Sequence, residues 1–347
     1  MIPLRFFEHQ LPGGKLLWGN CRFSFDPEDR DYDWLVVYND LPARNDEPRA
    51  QRQEVLGCPK RRTILTTSEP STIKHYGISY TSQFGHVITS QTQWALPHPG
   101  RIYSQAGLVW FYGVDARPDF YGDAKVGATP FDQIVKEPPV NKTADLSMVF
   151  TSKKQRHTLH HQRYKFMRYV MQHMPELTTF GYGIRPFEDK ADALNAFRYH
   201  IAIENYNGTH HWTEKLADAF LGLTLPFYSG CTNAADYFPP ESFIQIDITD
   251  PEGAIQIMRE AIANNEYEKR LPYIHEARKR VLFEHNFFAL IARHIERLHI
   301  EQASNIEKDG YGVIYSRHAL RRVKPFTGLL DFYGKVRARA IHLLRRS

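Results

Sequence analysis

The sequence predicts an α/β protein that is built on parallel β-sheets and divided into two domains. Short apolar runs, such as residues 34–38 (WLVVY) and 225–228 (LPFY), alternate with helix-length segments, which is typical of buried parallel strands. The chain has 347 residues, which is longer than a chain that forms a single hydrophobic core usually is. A stretch rich in proline and glycine, residues 113–146, interrupts the pattern near the middle of the chain.

The domain boundary is predicted at the Pro-Pro-Val-Asn segment of residues 138–141, because such linkers carry few contacts. This boundary gives an N-terminal α/β domain over residues 1–140 and a second α/β domain over residues 141–302. A basic amphipathic tail over residues 303–347 follows.

The composition is that of a globular protein, with 24% charged and 42% hydrophobic residues. The net charge of +5 fits an anionic small molecule, a membrane surface or nucleic acid and does not choose among them. Three cysteines without CxxC spacing argue against a disulfide framework and a structural zinc site. No apolar leader segment and no run of about 18 apolar residues is present, so we expect a cytoplasmic protein or one bound peripherally to a membrane.

In the first half, one carboxylate stands out, that of Glu69. It follows the predicted strand of residues 62–67 and is fixed by Pro70, so it projects from the carboxyl end of a strand at a rigid loop. A partly desolvated carboxylate in such a place can have a raised pKa and act as a general base. The alternative is a solvated loop glutamate, which the residues alone favour.

In the second half, the most informative stretch is residues 197–247. A predicted helix over residues 188–199 leads into a short apolar strand, which is followed by a polar loop, an amphipathic helix and a second strand. In open α/β sheets the ligand lies beyond the carboxyl ends of the strands, where helix amino-termini point at it. The side chains expected around this crevice are Glu204, Asn205, Thr213, Glu214 and Lys215.

Basic residues and histidines crowd residues 153–168, and a helix is predicted over residues 162–174. Nucleic-acid binding would use such a patch, but no recognised module accompanies it. Zinc binding is another possible role for His157, His160 and His161, but no cysteine or acidic residue stands at ligand spacing from them. The usual explanation is a solvated helix face.

The carboxyl-terminal tail is strongly basic, with nine Lys or Arg and a single acidic residue, Asp331, over residues 317–346. Apolar residues from Phe326 to Leu344 can share one helical face. Such a helix can lie on an anionic membrane, where each cation adds on the order of 1 kcal/mol. The alternative is a helix docked on the protein's own surface, and the sequence leaves both open.

Residues 204–230 (ENYNGTHHWTEKLADAFLGLTLPFYSG) and residues 238–247 (FPPESFIQID) carry a recognisable pattern. It resembles the donor-binding motif of the family 10 glycosyltransferases, the α1,3/4-fucosyltransferases of bacterial type. Members of that family read approximately F-E-N, then Y-V-T-E-K, then A-x-x-x-G-x-x-P-V-x-x-G, then P-x-S-F-I.

The resemblance implies a GT-B-like architecture, in which two Rossmann-like domains face a cleft. It also implies inverting transfer of a sugar, with L-fucose from GDP-fucose as the best guess, and no metal or other cofactor. The residues that it assigns to the nucleotide-sugar donor are Glu204, Asn205, His211, Thr213, Glu214 and Lys215.

Two further residues are assigned by the same resemblance. Arg163 opens the segment RYKFMRYV, where the family carries an arginine on the donor diphosphate; a planar guanidinium can grip phosphate oxygens bidentately. Glu69, within TILTTSEPSTIKHYGISYTSQF, stands at the place of the family's catalytic base.

His211-Trp212 is a departure, because the family has Tyr-Val before Thr-Glu-Lys. The changed contact leaves another nucleotide-linked deoxysugar open as donor. The expected acceptor is a glycan hydroxyl, as in a surface polysaccharide or lipopolysaccharide, and no nucleic-acid partner is expected. A non-catalytic sugar-nucleotide-binding protein is the alternative from another class, but Glu69, Arg163 and Lys215 are all present and favour an enzyme.

Overall fold

The computed structural model describes residues 9–26, 28–43, 49–107, 109–114, 127–150, 159–181, 183–302 and 312–344. His157, one of the three histidines considered above as zinc ligands, lies outside the described residues, as do residues 151–158 of the basic segment.

The strands are β1 Leu17–Trp18, β2 Cys21–Arg22, β3 Leu35–Tyr38, β4 Gln53–Val55, β5 Thr63–Thr67, β6 His86–Thr89, β7 Arg101–Tyr103, β8 Ala144–Val149, β9 Thr178–Phe180, β10 Phe197–Ile203, β11 Leu225–Ser229, β12 Ile244–Gln245 and β13 Val313–Tyr315. The α-helices are α1 Ile78–Thr81, α2 Phe131–Lys136, α3 His160–His173, α4 Glu214–Leu221, α5 Pro251–Ala263, α6 Glu266–Phe283, α7 Phe287–Gln302, α8 Arg317–Val323 and α9 Phe326–Leu344. Single turns of 3-10 helix lie at Pro12–Gly14, Lys60–Arg62, Lys190–Ala193, Ala234–Asp236 and Pro240–Ser242.

Unit 1 comprises the described residues of 1–23 and 108–292. Its five-stranded sheet has the order β12-β11-β10-β8-β9, and all neighbouring strands are parallel. The central strand β10 is buried along almost its whole length, because it is hydrogen-bonded on both edges and covered on both faces. This environment explains why the strand is apolar without alternation.

Helix α4 sits at the carboxyl end of β10. The hydroxyl of Thr213 accepts a hydrogen bond from the N–H of Lys215 and so caps the helix. Leu216 and Phe220, four residues apart on one face, are fully buried, and the helix packs on β10, β11 and α6. The first turn of α4 is therefore held beside the end of the central strand.

Unit 2 comprises the described residues of 24–107 and 293–347. Its four-stranded sheet has the order β3-β5-β6-β7, again with parallel neighbours. Strand β13, near the end of the chain, pairs antiparallel with β4. Leu320 of α8 joins a core that includes Leu65 and Val87 of the sheet. The carboxyl-terminal segment is thus an integral part of this unit.

The predicted α/β class with parallel sheets is confirmed. The observed division differs from the predicted boundaries, because α2 belongs to unit 1, where Phe131 and Ile134 are buried in its main core. Residues 312–344 belong to unit 2 and are not a separate tail, since β13 completes a two-stranded sheet with β4.

The helix predicted over residues 188–199 is wrong. Asp189 accepts a hydrogen bond from the N–H of Ala191, and the Asp192 carboxylate accepts one from the N–H of Asp189. This capping box closes a single turn. The chain then enters β10 at Phe197, where pairing with β8 takes over from helical hydrogen bonding.

One side of helices α8 and α9 packs on the rest of unit 2. For that side, the alternative of a helix docked on the protein's own surface is confirmed. Thr327 and Ala338 are buried, whereas Phe326, Phe332 and Tyr333 are 80%, 67% and 69% exposed. Contact of this outer side with a membrane stays a prediction. Within the described parts of the chain, no helix combines the length and the apolar character needed to cross a bilayer.

Candidate functional site

The carboxylate of Glu204 lies directly after β10 and is completely buried. Its Oε1 accepts a hydrogen bond from the N–H of Thr213 at 2.8 Å, and its Oε2 accepts one from the Thr213 hydroxyl at 2.6 Å. The Nζ of Lys215 lies 3.7 Å from Oε2. Burial raises the pKa of Glu204, and the Lys215 ammonium opposes that rise. Glu204 therefore ties the end of the strand to the first turn of α4.

Lys215 is at the centre of a charged cluster. Its Nζ lies 2.7 Å from Glu214 Oε1 and donates to Thr213 Oγ1 at 3.2 Å. Burial disfavours the ammonium, but the carboxylates of Glu214 and Glu204 raise the pKa of Lys215 above its usual value. The pKa of Glu214 is lowered, because Lys215 and Lys190 outweigh the effect of burial. Both members of this pair are therefore charged at neutral pH.

Arg163 lies on α3 and is buried, with 8% of its surface exposed. One guanidinium N–H donates to Oδ1 of Asn205, the residue that follows Glu204. Burial lowers the pKa of Arg163, and the carboxylates of Glu204 and Glu214 oppose this. An arginine remains protonated in such a site. Asn205 occupies one of five guanidinium N–H donors and so fixes the direction of the fork.

Four charged side chains line a cavity of unit 1 of about 160 Å³. Arg163, Lys190 and Lys215 supply positive charge to its wall, and Glu214 supplies one carboxylate. Because three cations and one carboxylate face its interior, the cavity is suitable for an anion that also carries hydroxyl groups. The remaining wall residues are Val149, Met167, His200, Ile201, Ala202 and Ile203.

Lys190 was missed by the sequence analysis. Its Nζ forms an ion pair with Oδ2 of Asp218 at 2.5 Å, and Asp218 is completely buried. The other carboxylate oxygen of Asp218 accepts the N–H groups of Phe111 and Tyr112 at 3.0 and 3.1 Å. The available signal was Asp218 itself, because a charged residue among the apolar residues of α4 requires a buried partner.

His200 was also missed. Its Nδ1 lies 2.8 Å from the hydroxyl oxygen of Ser147, and that hydroxyl donates to the carbonyl of Ala193 at 2.6 Å. Because Ser147 uses its own proton on Ala193, we infer that His200 carries its proton on Nδ1, which leaves Nε2 as an acceptor. Burial, with the nearby Lys190, lowers the pKa of His200 to about 3. The sequence signal was a histidine within the apolar run of residues 199–203.

The predicted donor residues divide into two groups. Arg163, Glu214 and Lys215 line the cavity, whereas Glu204, Asn205 and Thr213 hold them in place. The seventh predicted residue, His211, belongs to neither group: it is buried and does not line the cavity, and the centroid of its ring lies 5.5 Å from that of Tyr206. Burial, followed by the charge of Lys215, lowers the pKa of His211 to about 4.

Glu69 lies in unit 2, two residues after the end of β5, with a half-buried side chain. Its N–H donates to the Tyr76 hydroxyl at 3.4 Å, and its carbonyl accepts from Nε2 of Gln91 at 2.8 Å. The same Gln91 amide donates to the carbonyl of Lys74 at 3.0 Å. Gln91 therefore joins both ends of residues 69–74, and the backbone of Glu69 is fixed.

Residues 140–275 match the family model described as "Glycosyltransferase family 10 (fucosyltransferase) C-term". The matched segment contains Arg163 and every predicted residue from 204 to 215. A curated relative is the alpha-(1,3)-fucosyltransferase FucT of Helicobacter pylori, which is 32% identical over 68 residues. That match covers 20% of this chain and spans only 14% of the length of the relative. The resemblance predicted from the sequence is confirmed over residues 140–275.

Two similar solved structures are both described as alpha1,3-fucosyltransferase. The structure with GDP-fucose has 14% sequence identity and a TM-score of 0.45, with 82% of each chain covered. The structure with GDP has 16% identity and a TM-score of 0.41, with 70% of each chain covered.

Acid is expected to destabilise the protein through His200. Its folded-state pKa of about 3 lies below the usual 6.5, so between these values the unfolded chain binds a proton that the folded chain does not. The free energy of unfolding therefore falls as the pH drops from 6.5 towards 3, by up to about 1.4 kcal/mol per pH unit from this residue. His200→Asn, whose amide can still donate to Ser147, should reduce the slope measured by urea unfolding at several pH values.

The control for this measurement is His173→Asn, an exposed histidine on α3. The same pH slope in wild type and His200→Asn would contradict the buried, neutral state of His200.

Proposed function

We propose that the protein is a glycosyltransferase that moves a sugar from a nucleotide-sugar donor to a glycan hydroxyl, because residues 140–275 match the model of glycosyltransferase family 10. The proposed donor is GDP-fucose, since the family model is described as that of fucosyltransferases. The proposed acceptor is a surface polysaccharide or lipopolysaccharide. The observation that carries the proposal is the cavity of unit 1, where Arg163, Lys190 and Lys215 supply three cations.

These cations suit the leaving group of the reaction. When the bond between the sugar and the nucleotide breaks, the diphosphate gains negative charge, and fixed cations stabilise that charge more in the transition state than in the bound donor. The guanidinium of Arg163 can bind two phosphate oxygens, while Lys190 and Lys215 act as point charges. The carboxylate of Glu214 can accept a hydrogen bond from a hydroxyl of the ribose or sugar. Side-chain cations supply the neutralising charge, so the proposal includes no metal or other cofactor.

The transfer step is a single displacement with inversion. The acceptor oxygen forms a bond to the anomeric carbon on the face opposite the diphosphate, and the bonding electrons of the broken C–O bond leave with the diphosphate. The hydroxyl proton goes to the carboxylate of Glu69, which is the proposed general base. Support for this role comes from the fixed backbone of Glu69 after β5 and its half-buried side chain.

A different nucleotide-linked deoxysugar is the alternative donor. His211-Trp212 favours it, because the family carries Tyr-Val at these two positions. His211 is buried and Trp212 is 2% exposed, so both side chains are fixed in unit 1. A protein that only binds the nucleotide sugar would show affinity for it without turnover. Measurements of both binding and turnover therefore separate such a protein from an enzyme.

Replacement of Arg163 should weaken donor binding. Arg163→Ala removes a charge-assisted hydrogen-bond donor to the diphosphate, so the Kd for GDP should rise roughly 10- to 100-fold in isothermal titration calorimetry. Arg168→Ala on the same helix is the matched control, because Arg168 is exposed and should bind GDP as wild type does. Equal affinities for the two variants would contradict the assignment of the cavity.

Replacement of Glu69 should stop transfer without affecting donor binding. We expect release of GDP from GDP-fucose, in the presence of glycan acceptors, to fall by roughly 10²- to 10⁴-fold in Glu69→Gln, because the amide cannot take a proton. The Kd for GDP should not change. Glu28→Gln, an exposed glutamate of unit 2, is the control.

The donor screen should include other GDP- and UDP-linked sugars. The proposed enzyme activity is wrong if wild type turns over no nucleotide sugar, and the proposed base is wrong if Glu69→Gln retains the wild-type rate.

We also propose a cytoplasmic protein that contacts the inner face of the cytoplasmic membrane through α9. The outer side of this helix exposes large apolar residues beside Lys335, Arg337 and Arg339. This combination suits an anionic lipid surface, where apolar side chains enter the interface and cations pair with headgroups. The exposed apolar residues are Phe326, Leu329, Leu330, Phe332, Tyr333, Val336, Leu343 and Leu344.

Membrane contact should depend on both the charge and the apolar side chains. The protein should sediment with vesicles that contain phosphatidylglycerol and less with vesicles of phosphatidylcholine alone, and salt should weaken the binding. Phe332→Ala with Tyr333→Ala should reduce sedimentation, whereas Ile257→Ala, a partly exposed residue on α5, should not. Equal binding to neutral and anionic vesicles would contradict the proposal.

A further inference from the structure

Helix α9 contacts the loop that follows Glu69. A side chain at Gly334 of the helix would collide with the ring of His75, and one at Gly77 of the loop would collide with the Asp331 carboxylate. Gly77 also has a φ of +84°, which favours glycine. The two glycines allow the backbones of helix and loop to approach closely from opposite sides.

A second contact lies at the other end of the helix. Nε2 of His342 is 3.0 Å from the hydroxyl oxygen of Ser71, and the His342 ring packs edge-on against Trp94 with ring centroids 5.1 Å apart. Ser71 is two residues after Glu69. It lies in the turn in which the N–H groups of Ile73 and Lys74 both donate to the carbonyl of Pro70. His342 thus holds the turn that begins one residue after Glu69.

Helix α9 is itself anchored to unit 2. Asp331 accepts two hydrogen bonds from the guanidinium of Arg321 on α8, at 2.9 and 3.2 Å. Arg317, also on α8, donates to the carbonyl of His75 at 2.6 Å. The loop over residues 70–77 is therefore held on one side by Gln91, which follows β6, and on the other by the carboxyl-terminal helices of the same unit.

We propose that α9 positions the loop of residues 70–77 and, through it, the carboxylate of Glu69, with His342 as the positioning residue. The contact between His342 and Ser71 is independent of the enzyme activity; its effect on transfer rests on the function proposed above for Glu69. The carboxyl-terminal helix then serves the reaction as well as attachment, because its inner side fixes the loop while its outer side stays exposed.

The test uses the chain with His342→Ala, His342→Gln and Val323→Ala. Val323 lies on the neighbouring helix α8, is 55% exposed and is the control. In His342→Ala we expect faster amide hydrogen exchange in residues 70–77 and roughly a 10-fold lower kcat/KM for the acceptor, since small misplacements of a catalytic group are costly. The Kd for GDP should match wild type. His342→Gln should recover part of the loss, because its amide can hydrogen-bond Ser71.

Unchanged exchange of residues 70–77 in His342→Ala would overturn the positioning role. Faster exchange with wild-type transfer would overturn it as well, because the loop would then move without effect on Glu69. Equal losses in His342→Ala and Val323→Ala would assign the effect to a general disturbance of the carboxyl-terminal helices and overturn the role of His342. If wild type turns over no nucleotide sugar, the proposed function fails, while the exchange measurement still decides whether His342 holds the loop.

Discussion

The charged cluster of unit 1 depends on the burial of one carboxylate. Glu204 is sealed from solvent at the end of the central strand, and a carboxylate there is tolerated only when it is hydrogen-bonded and paired. Its partners are the backbone N–H and hydroxyl of Thr213 and the ammonium of Lys215, all from the first turn of α4. The bonds that satisfy Glu204 therefore also decide where that turn lies. Loss of any partner would leave charge buried without compensation.

Each cation of the cavity is oriented by a residue behind the wall. Asn205 orients Arg163, the buried Asp218 orients Lys190, and Thr213 with Glu204 orients Lys215. Side chains that are already ordered lose little conformational freedom when an anion enters. A site that stabilises charge as it develops during a reaction is expected to need little reorganisation of its side chains.

The sequence pattern was sufficient for the parallel sheets, the capped helix α4 and the grouping of residues 204–215, because these follow from local apolar periodicity and capping chemistry. It did not locate Lys190, because the residues around it read as a long helix, whereas the capping box at Asp189 closes only a single turn. The domain boundaries were predicted from the proline content of the chain. The observed units instead depend on contacts between residues far apart in the chain, such as the pairing of β13 with β4. Pairings of this kind leave almost no local signal.

The pairing of β4 with β13 has a consequence for synthesis of the chain. Strand β4 emerges from the ribosome long before its partner β13, because the whole of residues 56–312 lies between them. Residues 108–292, which hold the cavity and its cations, are complete before β13 emerges. Most of unit 1 is therefore synthesised before unit 2 is complete. Unit 2 can finish folding only after β13, α8 and α9 have been synthesised. Until then the edge of β4 is an unpaired strand, open to chaperones and to other nascent chains.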